Sequence, residues 1–106
     1  MNKIKLLLLE GCNRCEKLKK ELGKNYIHYD YEICRSDNVV CDSIEDIIGC
    51  SNYPIVLKMR TKSIIDEIIF VTDNYDDIGK NLNYNNIITG KAFHSIDNLI
   101  DYVILL

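Results

Sequence analysis

The chain has 106 residues, a formal net charge of -3 and a charged fraction of 27%, which suits one globular domain with a modest core. The small negative charge argues against a nucleic-acid-binding protein, which usually carries a basic face. The apolar run from Leu6 to Leu9 is too short to cross a membrane, and Glu10 follows it with no signal-peptide cleavage pattern. We therefore expect one monomeric cytoplasmic domain over residues 1–106, with no nucleic acid or membrane as partner.

The first predicted elements form a strand, helix and strand. Lys3 to Leu9 is nearly all apolar, which is typical of a strand buried on both faces of a sheet. A helix follows from Cys12, and Gly23 stands where a glycine C-cap would end it. Tyr26 to Ile33 then alternates apolar and polar residues, which predicts an edge strand. Since a helix connects them, the two strands should be parallel.

A second helix and a hairpin are predicted next. Asp42 and Glu45 have the spacing of a capping box, which predicts a short helix that Gly49 ends. Ile55 to Met59 and Ile64 to Val71 read as strands with a short polar link, which favours an antiparallel hairpin.

The remainder is predicted to be a loop and a final helix. Thr72 to Asn86 is rich in Asp, Asn and Gly, which is typical of a long loop. Ser95 is a suitable N-cap for a last amphipathic helix. Its apolar positions are Ile96, Leu99, Ile100, Val103 and Ile104.

Two short stretches carry a resemblance to a known family. "GCNRC" (Gly11 to Cys15) resembles the active-site motif of the glutaredoxins, and "GCSNYPIV" (Gly49 to Val56) resembles their Gly-x-x-Thr-Val-Pro-x-Val stretch. The resemblance covers about Lys3 to Leu105, with Thr72 to Asn86 as an insertion. It implies an α/β, thioredoxin-like fold of glutaredoxin type, with a four-stranded mixed sheet in the order β-α-β-α-β-β-α.

The Cys-x-x-Cys pair at a strand-to-helix junction suits thiol chemistry. The thiolate is the nucleophile, and the first turn of a helix directs unpaired backbone N–H groups at it. We therefore expect Cys12 to be the catalytic nucleophile with a depressed pKa, and Cys15 to resolve the mixed disulfide. Arg14 and Lys17 add positive charge along the helix, whereas Glu10 opposes it.

The resemblance also implies how substrates bind. It implies that Tyr53-Pro54 is a cis peptide beside the two cysteines, and that the Tyr53 backbone pairs with the substrate chain. Disulfide-containing proteins and glutathione are the implied partners, with glutathione as the reductant and no bound cofactor. Two departures mark the glutathione site as divergent. Asn52 and Tyr53 replace the family's Thr and Val, and "GKAFHSID" stands where the family has a Gly-Gly segment.

Charged and helix-terminal groups would hold the glutathione carboxylates. Arg14 or Lys17 would bind one of them, and the turn from Ser95 to Asp97 would receive the other at the start of the last helix.

Two other kinds of function compete with redox exchange. The cysteine pair could be half of a zinc site, but no second close pair of ligands follows it, so we expect no metal. A domain of this fold could also serve as a binding or structural module that contacts partners through Thr72 to Asn86. The three remaining cysteines are expected to be unreactive, although a disulfide between Cys34 and Cys41 stays open as a possibility.

Overall fold

The computed structural model describes residues 3–106, so Met1 and Asn2 of the predicted domain lie outside the described residues. Within residues 3–106, six strands and three α-helices form an α/β unit. Their bounds are β1 Lys3–Leu8, α1 Asn13–Lys24, β2 Asp30–Ile33, α2 Val39–Ile48, β3 Ile55–Met59, β4 Ile65–Val71, β5 Leu82–Tyr84, β6 Ile88–Phe93 and α3 Ile96–Ile104.

The predicted fold class is wrong, because the sheet has six strands rather than four. The strands lie in the order β2-β1-β3-β4-β6-β5. Two strands that sequence reasoning did not assign, β5 and β6, extend the sheet beyond β4. β6 pairs with β4 in parallel, and β5 pairs with β6 in antiparallel fashion.

The predicted loop from Thr72 to Asn86 contains regular structure. Residues 75–77 form a 3-10 helix, and β5 follows it. Asn85 and Asn86 then adopt positive φ values of 55° and 59°, and the Ile87 N–H donates to the Tyr84 carbonyl at 3.2 Å. Asparagine tolerates this conformation well, so the two residues form the tight turn of a hairpin. Asn85 and Asn86 therefore belong to a hairpin turn, whereas residues 72–81 are mostly irregular apart from the 3-10 helix.

Other parts of the topology are confirmed. β1 and β2 are parallel, and β2 lies at a sheet edge. β3 occupies Ile55–Met59 as predicted and pairs with β4 in antiparallel fashion. β2 begins at Asp30, four residues later than predicted, and Tyr26 lies in a turn with a positive φ of 55°.

Two predicted helix boundaries are wrong, the end of α1 and the start of α2. Gly23 lies inside α1, and Asn25 caps that helix instead. α2 begins earlier than predicted, because the Asn38 side chain rather than Asp42 accepts the Cys41 N–H at 3.0 Å.

The other two predicted caps are confirmed. Gly49 ends α2 with a positive φ of 66°. Ser95 caps α3 by accepting the Asn98 N–H at 3.2 Å.

Helices cover both faces of the sheet. Alternate residues of a strand point to opposite faces, and Tyr102 of α3 donates to Glu67 of β4 at 2.9 Å. α3, with α1 packed beside it, therefore covers the face that carries Glu67. On the other face, Asn38 at the start of α2 donates to Glu32 of β2, which also pairs with Lys5.

The core lies between these layers. Leu6, Leu7, Ile55 and Val56 on the central strands are fully buried, which explains why their sequence is apolar on both faces. Within residues 3–106, no helix has the length and apolar character needed to cross a membrane.

Two glycine substitutions test this packing. An alanine Cβ at Gly90 would lie 2.5 Å from Tyr84 Cε2 on the neighbouring strand, whereas a Cβ at Gly23 within α1 would meet nothing within 4 Å. We predict that Gly90→Ala lowers the free energy of unfolding by about 1–3 kcal/mol. Gly23→Ala, the matched control, should raise it by about 0.5–1 kcal/mol. Urea unfolding measures both, and an unchanged stability for Gly90→Ala would contradict the Tyr84 contact.

Candidate functional site

All five cysteines gather at one edge of the sheet. β1, β2, β4 and β6 run in the same direction, so their carboxyl ends meet at this edge, where β3 also begins. Cys12 follows β1, Cys34 follows β2 and is bonded to Cys41 of α2, and Cys50 contacts the end of β4. We call this edge the cysteine edge. In open α/β sheets, binding sites occur at the carboxyl ends of strands.

Cys12 occupies the N-cap position of α1. Its sulfur accepts the Cys15 N–H at 3.2 Å, so the side chain takes the place of a usual capping oxygen. The sulfur therefore faces the positive end of the helix dipole, and both interactions would stabilise a thiolate at this position. Cys12 is partly exposed, which leaves its sulfur accessible to another molecule.

Cys15 is the buried partner of Cys12. The two sulfurs are in disulfide contact, and their Cα atoms lie 5.2 Å apart. Cys15 is only 1% exposed and packs beside Leu18 in the core. A bulky reagent can therefore approach Cys12 but not Cys15.

The negative charge of Glu10, which was expected to oppose a thiolate at Cys12, is compensated by a surface ion pair. The Glu10 carboxylate accepts from the Arg35 guanidinium at 2.8 Å. Both residues follow adjacent parallel strands, and the Cys34 N–H donates to the Leu8 carbonyl at 2.7 Å between them. Sequence reasoning missed Arg35, because only the pairing of β1 with β2 brings it beside Glu10.

Tyr53 and Pro54 lie beside the cysteine pair, joined by a cis peptide bond as predicted. The Tyr53 carbonyl oxygen is 3.9 Å from the Cys12 sulfur. Both residues are buried, and burial together with the nearby Glu45 carboxylate raises the pKa of Tyr53 to about 12. The phenol thus faces α2, while the backbone faces Cys12.

The residues predicted to bind glutathione carboxylates lie on α1 and α3. Lys17 forms an ion pair with Asp97, and this contact raises the pKa of the lysine. The pair joins α1 to the first turn of α3, which Ser95 caps. Within residues 3–106, Arg14 has no ion-pair partner, and it is exposed. Arg14 is therefore the cation that remains available near Cys12.

The remaining cysteines have distinct positions. Cys34 and Cys41 form a second disulfide, and they are only 8% and 1% exposed. Cys50 takes part in neither disulfide, and its sulfur lies 3.5 Å from the Val71 carbonyl oxygen. In the described part of the chain, no three His, Cys, Asp or Glu side chains cluster as metal ligands would.

An aromatic contact that sequence reasoning missed lies at the same edge. The Tyr75 hydroxyl is 3.3 Å from Nε2 of His94, and the two rings pack with centroids 4.8 Å apart. Tyr75 lies in the segment predicted to be a loop, so no periodic pattern could have placed it beside His94.

Tyr53 and Tyr102 should lose their phenol protons at a higher pH than an ordinary tyrosine does. Burial raises the pKa of Tyr53 and of Tyr102 to about 12, with the Glu45 and Glu67 carboxylates contributing. Because these values exceed the ordinary 10.0, the folded state holds the phenol protons more tightly, and stability should fall as the pH rises from about 10 to about 12. We predict that Tyr53→Phe removes one phenolate absorbance step near pH 12 and Tyr102→Phe the other. Loss of a step near pH 10 would contradict the described burial.

Comparison with models of known protein families, with curated proteins and with solved structures found no match. The resemblance of "GCNRC" and "GCSNYPIV" to the glutaredoxins therefore stays a prediction. What the cysteine edge does has to be inferred from the chemistry of its own residues.

Proposed function

We propose that the protein is a thiol–disulfide oxidoreductase that reduces mixed disulfides with chemistry of the glutaredoxin kind. One observation carries the proposal: a partly exposed cysteine sulfur caps a helix, 3.2 Å from a backbone N–H, with its buried partner one turn later. This arrangement makes Cys12 the accessible nucleophile and Cys15 the internal one. Support comes from these positions rather than from the disulfide bond itself.

The first step is attack on a substrate disulfide. The Cys12 thiolate attacks one sulfur, a bond forms between Cys12 and that sulfur, and the second substrate sulfur leaves as a thiolate that takes up a proton. The helix N-terminus that caps Cys12 lowers the cost of its negative charge before attack. The Arg35 contact limits the opposing effect of Glu10.

The second step releases the reduced substrate. Cys15, once deprotonated, attacks the Cys12 sulfur, so the mixed disulfide breaks and the Cys12–Cys15 disulfide forms. Their Cα separation of 5.2 Å permits this bond without backbone movement. Two molecules of glutathione then restore the dithiol and leave as glutathione disulfide, which balances the two electrons.

The Tyr53 backbone is suited to hold the substrate during these steps. A substrate sulfur bonded to Cys12 lies next to the Tyr53 carbonyl, which is 3.9 Å from the Cys12 sulfur. Neither the N–H nor the carbonyl of Tyr53 has a backbone hydrogen-bond partner among the described residues. An extended substrate segment could pair with both groups, as an added strand pairs with a sheet edge.

The cytoplasmic location that the sequence predicts suits such a pair. Under reducing conditions, a disulfide substrate is the species that has to be removed, and glutathione is an abundant thiol that can regenerate the dithiol. Disulfide-containing proteins and glutathione mixed disulfides are therefore the proposed substrates.

Cysteine substitutions test the order of attack. Cys12→Ser should reduce mixed-disulfide exchange to the uncatalysed rate, because it removes the accessible nucleophile. Cys15→Ser should instead accumulate one mixed disulfide per chain, since attack still occurs but internal release does not. Intact-mass analysis after incubation with a peptide disulfide measures both.

Cys50→Ser is the matched control, since Cys50 belongs to neither disulfide, and it should keep the exchange rate. Faster alkylation of Cys15 than of Cys12 in the reduced protein at neutral pH would refute the assigned roles.

The reductant is tested by a charge substitution. Arg14 is exposed, so its contact with a glutathione carboxylate would be screened by water. We predict that Arg14→Gln raises the KM for glutathione by about two- to five-fold and leaves Cys12 alkylation unchanged.

Arg60→Gln removes the same charge as a control. Arg60 pairs with Asp66 beyond the carboxyl end of β3, at the opposite edge of the sheet, and its loss should not change the KM. No turnover with glutathione, together with rapid turnover from a thioredoxin reductase, would overturn the choice of donor and leave the dithiol mechanism standing.

A further inference from the structure

The structure assigns a positioning role to the second disulfide: we propose that Cys34–Cys41 is a clamp that holds α2 against Tyr53 and so aligns the substrate-binding backbone beside Cys12. The inference rests on the proposed exchange function, because it concerns substrate docking at that site. It adds a redox dependence, in which the oxidised clamp supports docking and the reduced clamp weakens it.

The clamp ties α2 to the edge strand. Cys34 directly follows β2, and its N–H donates to the Leu8 carbonyl at 2.7 Å. Cys41 lies in the first turn of α2, and its sulfur is bonded to that of Cys34. The disulfide therefore fixes the start of α2 to the end of β2, beside the loop that leads to Cys12.

Apart from the clamp, α2 is held by the buried Ile44 and by Ile47 and Ile48, which are only partly buried against the core. Its fully buried side chains are Cys41 and Ile44, whereas α1 and α3 each bury three. One of the two buried anchors of α2 is thus the clamp itself. The Asn38 side chain gives further polar contacts, to Glu32 at 3.3 Å and to the Ile33 carbonyl at 3.5 Å. Because these contacts are few, loss of the disulfide should loosen the whole helix.

Tyr53 belongs to the same buried cluster as Cys41 and Ile44 of α2. Glu45 lies one turn after Cys41 on the same side of the helix. The Glu45 and Asp42 carboxylates are close enough to the Tyr53 phenol to influence its ionisation, and Tyr53 is only 4% exposed. A loosened α2 would uncover this side chain. The Tyr53 carbonyl, 3.9 Å from the Cys12 sulfur, would then lose its fixed position.

The thiolate itself should not depend on the clamp. Cys12 is stabilised by the Cys15 N–H at the start of α1, which lies on the opposite face of the sheet from α2. The Glu10–Arg35 pair should also persist, because the Cys34 N–H bond to the Leu8 carbonyl, which holds the backbone next to Arg35, does not involve the Cys34 side chain. Opening the clamp should therefore weaken substrate binding without changing the reactivity of Cys12. General destabilisation of the fold would instead change both.

The two disulfides should be reduced at different rates, because they differ in their exposure to solvent. Cys12 is partly exposed, whereas Cys34 and Cys41 are 8% and 1% exposed, so a small thiol reaches Cys12 first. Reduction of the clamp consumes two molecules of such a thiol. The first forms a mixed disulfide with one cysteine, and the second releases it, so the protein gains two thiols and the reductant leaves as its disulfide.

The test compares the native protein with Cys34→Ala/Cys41→Ala. We expect hydrogen exchange of α2 amides to become about ten-fold faster and that of α1 amides to stay unchanged. The KM for a peptide mixed disulfide should rise about five-fold, while kcat and the alkylation rate of reduced Cys12 at neutral pH stay unchanged. Cys34→Ser/Cys41→Ser, measured in parallel, replaces the alanine variant if that variant does not fold.

The outcomes separate the two proposals. Unchanged α2 exchange, or an unchanged KM, would overturn the clamp, as would an equal loss of Cys12 alkylation. If the native protein shows no exchange activity, the proposed function fails, whereas the hydrogen-exchange comparison still supports or refutes the attachment of α2. Mild glutathione treatment followed by alkylation should label Cys12 and Cys15 well before Cys34 and Cys41, and simultaneous labelling would contradict the ordering.

Discussion

The parallel pairing of β1 with β2 is the constraint on which the cysteine edge depends. Parallel neighbours end at the same edge of a sheet, so the residues that follow them are brought together whatever their separation in the sequence. Cys12 follows β1 and Cys34 follows β2, and the Cys34 N–H closes the end of the ladder on the Leu8 carbonyl. Glu10 and Arg35 meet for the same reason.

The two halves of the site are held with unequal firmness, by α1 on one face of the sheet and by α2 on the other. α1 carries Cys12 at its first turn and is anchored by three buried side chains, so the nucleophile lies on a firm element. Tyr53 lies just before β3, whose first three residues are buried, but its phenol faces α2, a helix with fewer buried anchors. The chemistry and the docking surface thus rest on opposite faces of one sheet. This division allows substrate binding to change while the nucleophile does not.

Local sequence patterns predicted the elements that contain the site. The Cys-x-x-Cys spacing and the apolar run of β1 placed the dithiol at a strand-to-helix junction, because each of these signals is contained within a few residues. The place of Pro54 beside the dithiol came instead from the resemblance of "GCSNYPIV" to the glutaredoxin stretch. The sheet was underestimated for a physical reason. β5 is only three residues long, and the Asn85-Asn86 turn has a composition that also suits an irregular loop. Parallel pairing of β6 with β4 leaves no local trace in the sequence.

Contacts between distant residues were equally beyond prediction. The Lys17–Asp97 pair joins α1 to α3, and the Glu10–Arg35 pair joins the loops that follow β1 and β2. All four residues are exposed, so no pattern of apolar residues marks their positions in the sequence. The Asn38 cap was missed because Asp42 and Glu45 offered a competing capping pattern four residues later. Asn38 prevails because its side chain also contacts β2, which fixes the start of α2 from outside the helix.

The proposed mechanism requires that Cys12 and Cys15 form a reversible dithiol–disulfide couple. It is tested most directly by equilibrating the protein in glutathione buffers of graded redox potential, alkylating the thiols and mapping the labelled peptides. We expect Cys12 and Cys15 to gain label together, as a single two-electron transition, while Cys34 and Cys41 stay oxidised over the same range. A Cys12–Cys15 pair that remains unlabelled in every buffer, or two cysteines that gain label independently, would contradict it.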